Sequence, residues 1–340
     1  MQGATGSGIM EAEAIIGPIM ERHGARCGME EFHSFLNLTF HEFESESYDE
    51  LHAHMWESLP PQFNLLIEDC LRSYPDMPGD LRVLDIGCGT GLASDSLFKT
   101  AIGSRIRAID LLDISPEMLQ RASQRASRWP APATCHRGLI DSLPKGARYE
   151  VVVTCSVLHH IPGLPTFLQA IRKLQADGGV FLHLQDPNGD LLTDPELRQR
   201  RALLFQRALP EWVYRFAPRR IAGRIYRELT GKQGQDYISK TNRALLEKGL
   251  ITTPLSVAEI FAITDIHAQE GQGISMCLMR SWMPEYECLS RRSYAFFGRL
   301  ANQLPPKYRK IEEDLIRRRA LNGQKVSAIW RLRPAPRLEN

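Results

Sequence analysis

The sequence predicts an α/β fold organised as a doubly wound sheet, and three observations carry that expectation. Val83, Leu84, Asp85 and Ile86 form an apolar run of the kind found in a buried parallel strand. Gly87, Gly89 and Gly91 follow at alternate positions before a helical pattern opens at Leu92. Strand-like and helix-like segments then alternate between residues 80 and 186. Glycines after a strand let the chain turn sharply and let backbone N–H groups approach a ligand. The helix that follows aims its positive end at whatever is bound.

Residues 1–29 begin with a small, Gly-rich stretch and are expected to form a weakly ordered tail. Residues 30–79 read as helical. Leu51, Met55 and Trp56 fall at helical spacing, as do Phe63, Leu66, Ile67 and Leu71, with Pro60-Pro61 as punctuation between two helices. His52 and His54 are two apart, hence on different helix faces, and do not make a metal pair. The core is expected over residues 80–188. Its second strand spans 106–113, and Pro116 then opens a helix in the turn where a missing N–H costs nothing. Residues 134–137, 149–155 and 179–185 read as the third, fourth and fifth strands.

Residues 189–253 read as a helical cap insertion broken by Pro210 and Pro218. It is rich in arginine, from Arg198 to Arg243, with Leu209 and Trp212 on an apolar side. A solvated helix face is the ordinary reading of such a run; docking of an anionic substrate or a carrier is the alternative. Residues 254–340 are expected to complete the sheet. They read as a helix, a loop and a strand near 275–282, helices over 293–304 and 308–320, and a last strand over 324–332.

Asp113 stands at the carboxyl end of the second strand, where a carboxylate can accept hydrogen bonds from the two ribose hydroxyls of a nucleoside. The turn reads GCGTG and not G-x-G-x-x-G, which argues against a nicotinamide dehydrogenase. VLDIGCGTG followed by DISPEML resembles the class I S-adenosylmethionine-dependent methyltransferases, and most of all the small-molecule branch typified by quinone-biosynthesis methyltransferases. The resemblance covers about residues 80–186. It implies a Rossmann-like sheet of strand order 3-2-1-4-5-7-6, with the last strand antiparallel. It also implies that the helices of 30–79 form a lid, in which Tyr48 is a lid aromatic or simply packs.

The cofactor implied is S-adenosyl-L-methionine, with S-adenosylhomocysteine as product. Gly87, Cys88 and Gly89 would wrap its methionine and ribose end, Asp85 would face its amino group, and Asp113, with Ile114 beside it, would hold the ribose. Capping of adjacent turns is the alternative for both aspartates. Family members often carry an acidic residue directly after the glycine found here at Gly138. Leu139 occupies that position, which leaves the adenine contact to Asp141 or to the backbone of Ile140. Cys155 reads as a small wall residue of the site.

His159 and His160 follow the fourth strand and Asp186 the fifth, so all three belong beside the ligand crevice at the strand ends. A hydroxyl acceptor does not lose its proton unaided near pH 7, and a neutral histidine is matched to that task. One histidine acting as base with Asp186 orienting it is the catalytic reading; helix capping is the alternative.

Composition sets bounds. Hydrophobic content of 43% and charged content of 24% are ordinary for a globular domain, and a net charge of +2 gives no global push toward nucleic acid or membrane. No apolar run approaches the roughly 20 residues needed to span a bilayer. Seven cysteines scattered singly suit a reducing cytoplasm and argue against structural zinc; no metal ligands are expected. The expectation is a cytoplasmic methyltransferase acting on a small molecule, anionic or apolar, with oxygen favoured over nitrogen or carbon as acceptor. The rivals are a methyltransferase-fold protein that binds the cofactor without methyl transfer, and a methyltransferase for nucleic acid or a carrier-bound substrate. The fourth strand ends in TCSV and not in the N-P-P-Y type used on base amino groups, which disfavours nucleic acid. Oligomeric state is left open.

Overall fold

A computed structural model describes residues 7–45, 52–190, 195–205, 236–268 and 273–334. The described strands form one sheet: β1 Leu81–Ile86, β2 Ile106–Asp113, β3 Ala133–Arg137, β4 Tyr149–Cys155, β5 Gln175–Pro187, β6 Tyr286–Tyr294 and β7 Lys325–Leu332. Their order is β3-β2-β1-β4-β5-β7-β6, as expected. Strands β1 to β5 run parallel, and β7 lies antiparallel between β5 and β6. Parallel strands need covering on both faces, which is why β1 and β4 read as near-continuous apolar runs.

Helices α3 (Ala53–Ser73), α4 (Leu92–Phe98) and α5 (Pro116–Ala126) cover one face; α6 (Leu164–Leu174) and α10 (Met276–Trp282) cover the other. Helix α5 starts where the sequence says: Ser115 accepts from the Met118 N–H and Pro116 takes the first turn. Helix α3 runs through Pro60-Pro61, contrary to the expected break. Its buried stripe of Met55, Leu59, Phe63, Leu66, Ile67 and Cys70 crosses both prolines, and packing of that stripe outweighs the lost N–H donors.

Two expectations near the C-terminus are corrected. The segment 275–282 is helical: Ser275 accepts from the Leu278 N–H, and Met276 and Met279 are buried by the sheet. The partner of β7 is β6, a polar edge strand whose Cys-Leu-Ser-Arg-Arg-Ser core shows no apolar alternation. Residues 293–304 form no long helix. They finish β6, turn at Ala295 (φ 59°) and Gly298 (φ 73°), and close in a 3₁₀ turn at Ala301–Gln303. The expected helix over 308–320 is present as α11 (Pro306–Arg317).

Within the segment 1–29 the described residues include a helix. Helix α1 (Ser7–Arg22) buries Ala12, Ile16 and Ile19. With α2 (Met29–Ser45), α8 (Asp236–Glu247) and α9 (Val257–Thr264) it forms a helical layer around Ile16, Phe32, Leu36, Leu245, Ile260 and Ile263. Polar contacts seal it: Arg22 pairs with Glu259 at 2.6 Å, and His23 Nδ1 lies 2.9 Å from the Thr253 hydroxyl. The cap insertion contributes α7 (Pro195–Phe205) and α8. Arg207, Arg215, Arg219, Arg220, Arg224, Arg227, Leu209, Pro210, Trp212 and Pro218 lie outside the described residues, as do Tyr48 and Asp49. No described helix is long and apolar enough to cross a membrane.

Ile16 is fully buried, so Ile16→Ala should lower unfolding stability by about 2–5 kcal/mol in urea titration. An unchanged midpoint would mean α1 is not part of the packed layer.

Candidate functional site

The glycine turn is built as a cradle. Gly87, Gly89 and Gly91 all take left-handed backbone angles, at φ 63°, 52° and 90°. A Cβ on Gly87 would meet Val157 at 2.6 Å, whereas one on Gly89 would project into open space. Asp113 Oδ2 accepts from the Gly89 N–H at 2.8 Å and Oδ1 accepts from the Ser115 N–H at 2.9 Å. This aspartate therefore does cap the turn, and each oxygen keeps a second lone pair for a ligand hydroxyl. Burial raises its pKa, ahead of the backbone donors that lower it.

Asp85 also caps, accepting from the Ser94 hydroxyl at 2.5 Å and the Ser94 N–H at 3.2 Å. Its other oxygen, Oδ1, is buried with no hydrogen-bond partner among the described residues. Burial pushes this carboxyl up to about 7. A cationic amino group beside Oδ1 would complete it. Beyond the turn lies a small pocket walled by Met55 and Trp56 of α3, by Cys88, and by Cys155 at the end of β4. Arg125 stacks on the Trp56 ring at 4.0 Å and donates to the Thr90 carbonyl, joining α3 and α5 to the turn. Burial raises the Cys88 and Cys155 thiols well above the usual range, so neither is an activated nucleophile.

Ile114 follows β2, and Ile140 and Asp141 lie in a 3₁₀ turn after β3, all at the carboxyl edge of the sheet. Asp141 is exposed, Ile140 is half-buried, and Leu139 beside them is 60% exposed. The turn thus presents an apolar surface where the resemblance led one to look for an adenine contact.

Asp186 and the two histidines come together. Ser156 adopts φ 62° and turns the chain out of β4, so that His159 and His160 stand over the end of β5. His159 Nδ1 lies 2.8 Å from Asp186 Oδ1, and both side chains are buried. Burial raises the Asp186 pKa, but the His159 hydrogen bond and the nearby His183 ring outweigh it and hold the carboxyl well below its usual range. Burial and the charge of His160 push His159 down to about 4. His160 differs: burial works against its charged form, but Asp265 and the Thr264 carbonyl raise its pKa. Its Nδ1 donates to Thr264 at 2.7 Å and lies 3.2 Å from Asp265 Oδ1.

Sequence reasoning missed Asp265, His41, His267 and Lys325. Asp265 directly follows α9 and also lies 3.9 Å from His159 Nε2. The His267 N–H donates to the His159 carbonyl, and the His41 ring sits 5.1 Å from that of His160. Asp265 carried one usable signal, a lone carboxylate ending an Ile- and Phe-rich helix. His159, His160 and Asp265 bring three ligating atoms within 4.8 Å of one another, a grouping that could hold a metal ion. In this structure their contacts are those of hydrogen-bonded pairs.

Residues 84–181 match the family model for a methyltransferase domain. The chain is 29% identical over 107 residues to a mitochondrial ubiquinone biosynthesis O-methyltransferase of Candida albicans, covering 30% of this chain and 32% of that one. It is 26% identical over 147 residues to the ubiquinone biosynthesis O-methyltransferase of Xanthomonas oryzae pv. oryzae, covering 41% of this chain and 59% of the relative. The chain thus spans less than two thirds of the length of these relatives. Among solved structures, the N-methyltransferase NodS from Bradyrhizobium japonicum in complex with S-adenosylhomocysteine aligns with a TM-score of 0.38 at 12% identity, over 80% of this chain and 86% of that one.

Asp113→Ala removes the carboxylate that spans the turn. It should weaken S-adenosylhomocysteine binding by roughly 1.5–3 kcal/mol, about ten- to a hundredfold, in calorimetry on folded protein. Unchanged affinity would mean that Asp113 serves the turn and not the ligand.

Proposed function

We propose that this chain, whose residues 84–181 match the family model for a methyltransferase domain, is a class I S-adenosylmethionine-dependent methyltransferase that moves a methyl group to a small-molecule acceptor, with oxygen the favoured atom. When bound, S-adenosylmethionine supplies a methyl group already activated on a sulfonium. The chain's own task is to hold both partners in line, exclude water and take away a proton. In this reading Asp85 Oδ1 receives the cofactor's amino group, Gly87 to Gly89 cradle its methionine end, and Asp113 holds its ribose. The adenine lies toward Ile114, Ile140 and Asp141, and Cys155 walls the methyl end.

The observation that carries the catalytic part is the contrast between the two adjacent histidines. Asp186 binds Nδ1 of His159, which fixes the proton there and leaves Nε2 as the basic nitrogen of a neutral ring. His160 is biased toward the cation beside Asp265. Neighbouring groups whose environments drive their pKa values apart mark the division of acid–base work. His159 is accordingly the general base and Asp186 its positioning residue.

The test is methyl transfer to a panel of small hydroxylated acceptors, read as a mass gain of one methyl group. His159→Gln should lower turnover by about 10²–10⁴, with S-adenosylhomocysteine affinity intact, and His160→Gln should cost less. The pH profile has a definite sign. His159 is neutral at pH 7 and becomes protonated only as pH falls through about 4, so turnover should persist below pH 6 and fail near 4. Parent-like turnover in His159→Gln would leave alignment alone as the source of rate.

A further inference from the structure

The crevice beside Cys155 gathers charge from four separate segments. His159 and His160 follow β4, Asp186 ends β5, Asp265 follows α9, and Lys325 is the first residue of β7. Both carboxylates have a histidine partner, at 2.8 Å for Asp186 and 3.2 Å for Asp265. Lys325 has none: among the described residues no carboxylate lies within 4.0 Å of its ammonium, and no hydrogen bond engages it.

Its placement follows from register. Lys325 pairs with Pro187 of β5 and with Tyr294 of β6, at the edge of the sheet where β4 and β5 end. Side chains alternate along a strand, so Lys325 shares a face with Ile329 and Arg331. Ile329 packs in the same cluster as Tyr294 and Cys155, and Arg331 stacks on Tyr74. Lys325 therefore rises on the face of Cys155, the wall of the pocket described above. Desolvation lowers its pKa, and the carboxylates of Asp186 and Asp265 oppose that fall. Lys325 is half-buried as a residue; an ammonium drawn from water without a partner is costly, and an anionic oxygen brought by a ligand would remove that cost through a charge-assisted hydrogen bond.

We infer that Lys325 seats an anionic oxygen of the acceptor, so that the substrate is a small hydroxy acid, its carboxylate on Lys325 and its hydroxyl turned to His159. The inference rests on the methyltransferase reading and deepens it. A lysine left to balance Asp186 at a distance would not discriminate among acceptors, whereas a seat would.

The experiment has two arms that separate the two levels. In the first, S-adenosylhomocysteine is titrated calorimetrically into the parent, Lys325→Met and Lys325→Arg proteins. Failure of the parent to bind overturns the methyltransferase reading itself. In the second, matched hydroxy acids and their methyl esters, aromatic and aliphatic, are titrated into the S-adenosylhomocysteine-loaded proteins. The expected result is at least a tenfold preference for acid over ester in the parent, lost in Lys325→Met and kept in Lys325→Arg. Equal binding of esters, absence of acid binding, or a preference that survives in Lys325→Met overturns the seat. A tenfold loss of S-adenosylhomocysteine affinity in Lys325→Met, with 5′-methylthioadenosine affinity unchanged, also overturns it, because the anion would then be the cofactor's own carboxylate.

Discussion

The hydrogen bond between His159 and Asp186 is the contact on which the rest of the crevice depends. It joins the segment that leaves β4 to the end of β5, and water is excluded from both partners. The His159 N–H also points at the same Asp186 oxygen, at 3.3 Å, so the carboxylate fixes backbone and ring together. With the ring held, its neighbour His160 falls against the end of α9, and the His159 carbonyl is free to receive the His267 N–H. One buried carboxylate thus orders the sheet edge and the helical layer above it. Removing a single partner from such a pair leaves a desolvated group without compensation, which is more damaging than never having built the pair.

The helical layer has a chemical as well as a covering role. Asp265 and Thr264 from its α9 end bias His160 toward its charged form, and the charge of His160 helps keep His159 neutral. The protonation states beside the crevice are therefore a joint product of the sheet and of helices that are remote in sequence. A parallel sheet makes this possible because it delivers the ends of β1, β2, β4 and β5 to one edge, and the antiparallel β7 begins at that same edge.

What was legible in the sequence follows from how local each signal is. The β1 run and its glycines are contiguous, and the Gly89–Asp113 contact follows from a single strand–helix–strand unit, β1-α4-β2. The same holds for His159, just after β4, and Asp186, near the end of the adjacent parallel β5. Strand β6 was hidden because an edge strand carrying Ser290, Arg291, Arg292 and Ser293 has no apolar period to read. Arg292 is tolerated there because it pairs with the buried Asp69 of α3 at 2.7 Å, a partner more than 200 residues away. Asp265 and Lys325 escaped for the same reason: their importance comes from the register and docking that bring them to the crevice, not from their neighbours in the chain. Helix α1 was missed because its apolar face has meaning only against α9 and its surroundings.

That last packing has a consequence for biogenesis. His23 meets Thr253 across 230 residues of chain, so the layer closes only after most of the polypeptide has been made. At ordinary synthesis rates the wait is on the order of 10–50 s. During it Ile16, Phe32 and Leu36 lack their partners from α8 and α9, while the glycine turn and strands β1 to β5 have already been made. The first helices are thus the natural clients of a holdase during translation. A cofactor-competent core should appear on the ribosome before the segment that completes the histidine environment has emerged.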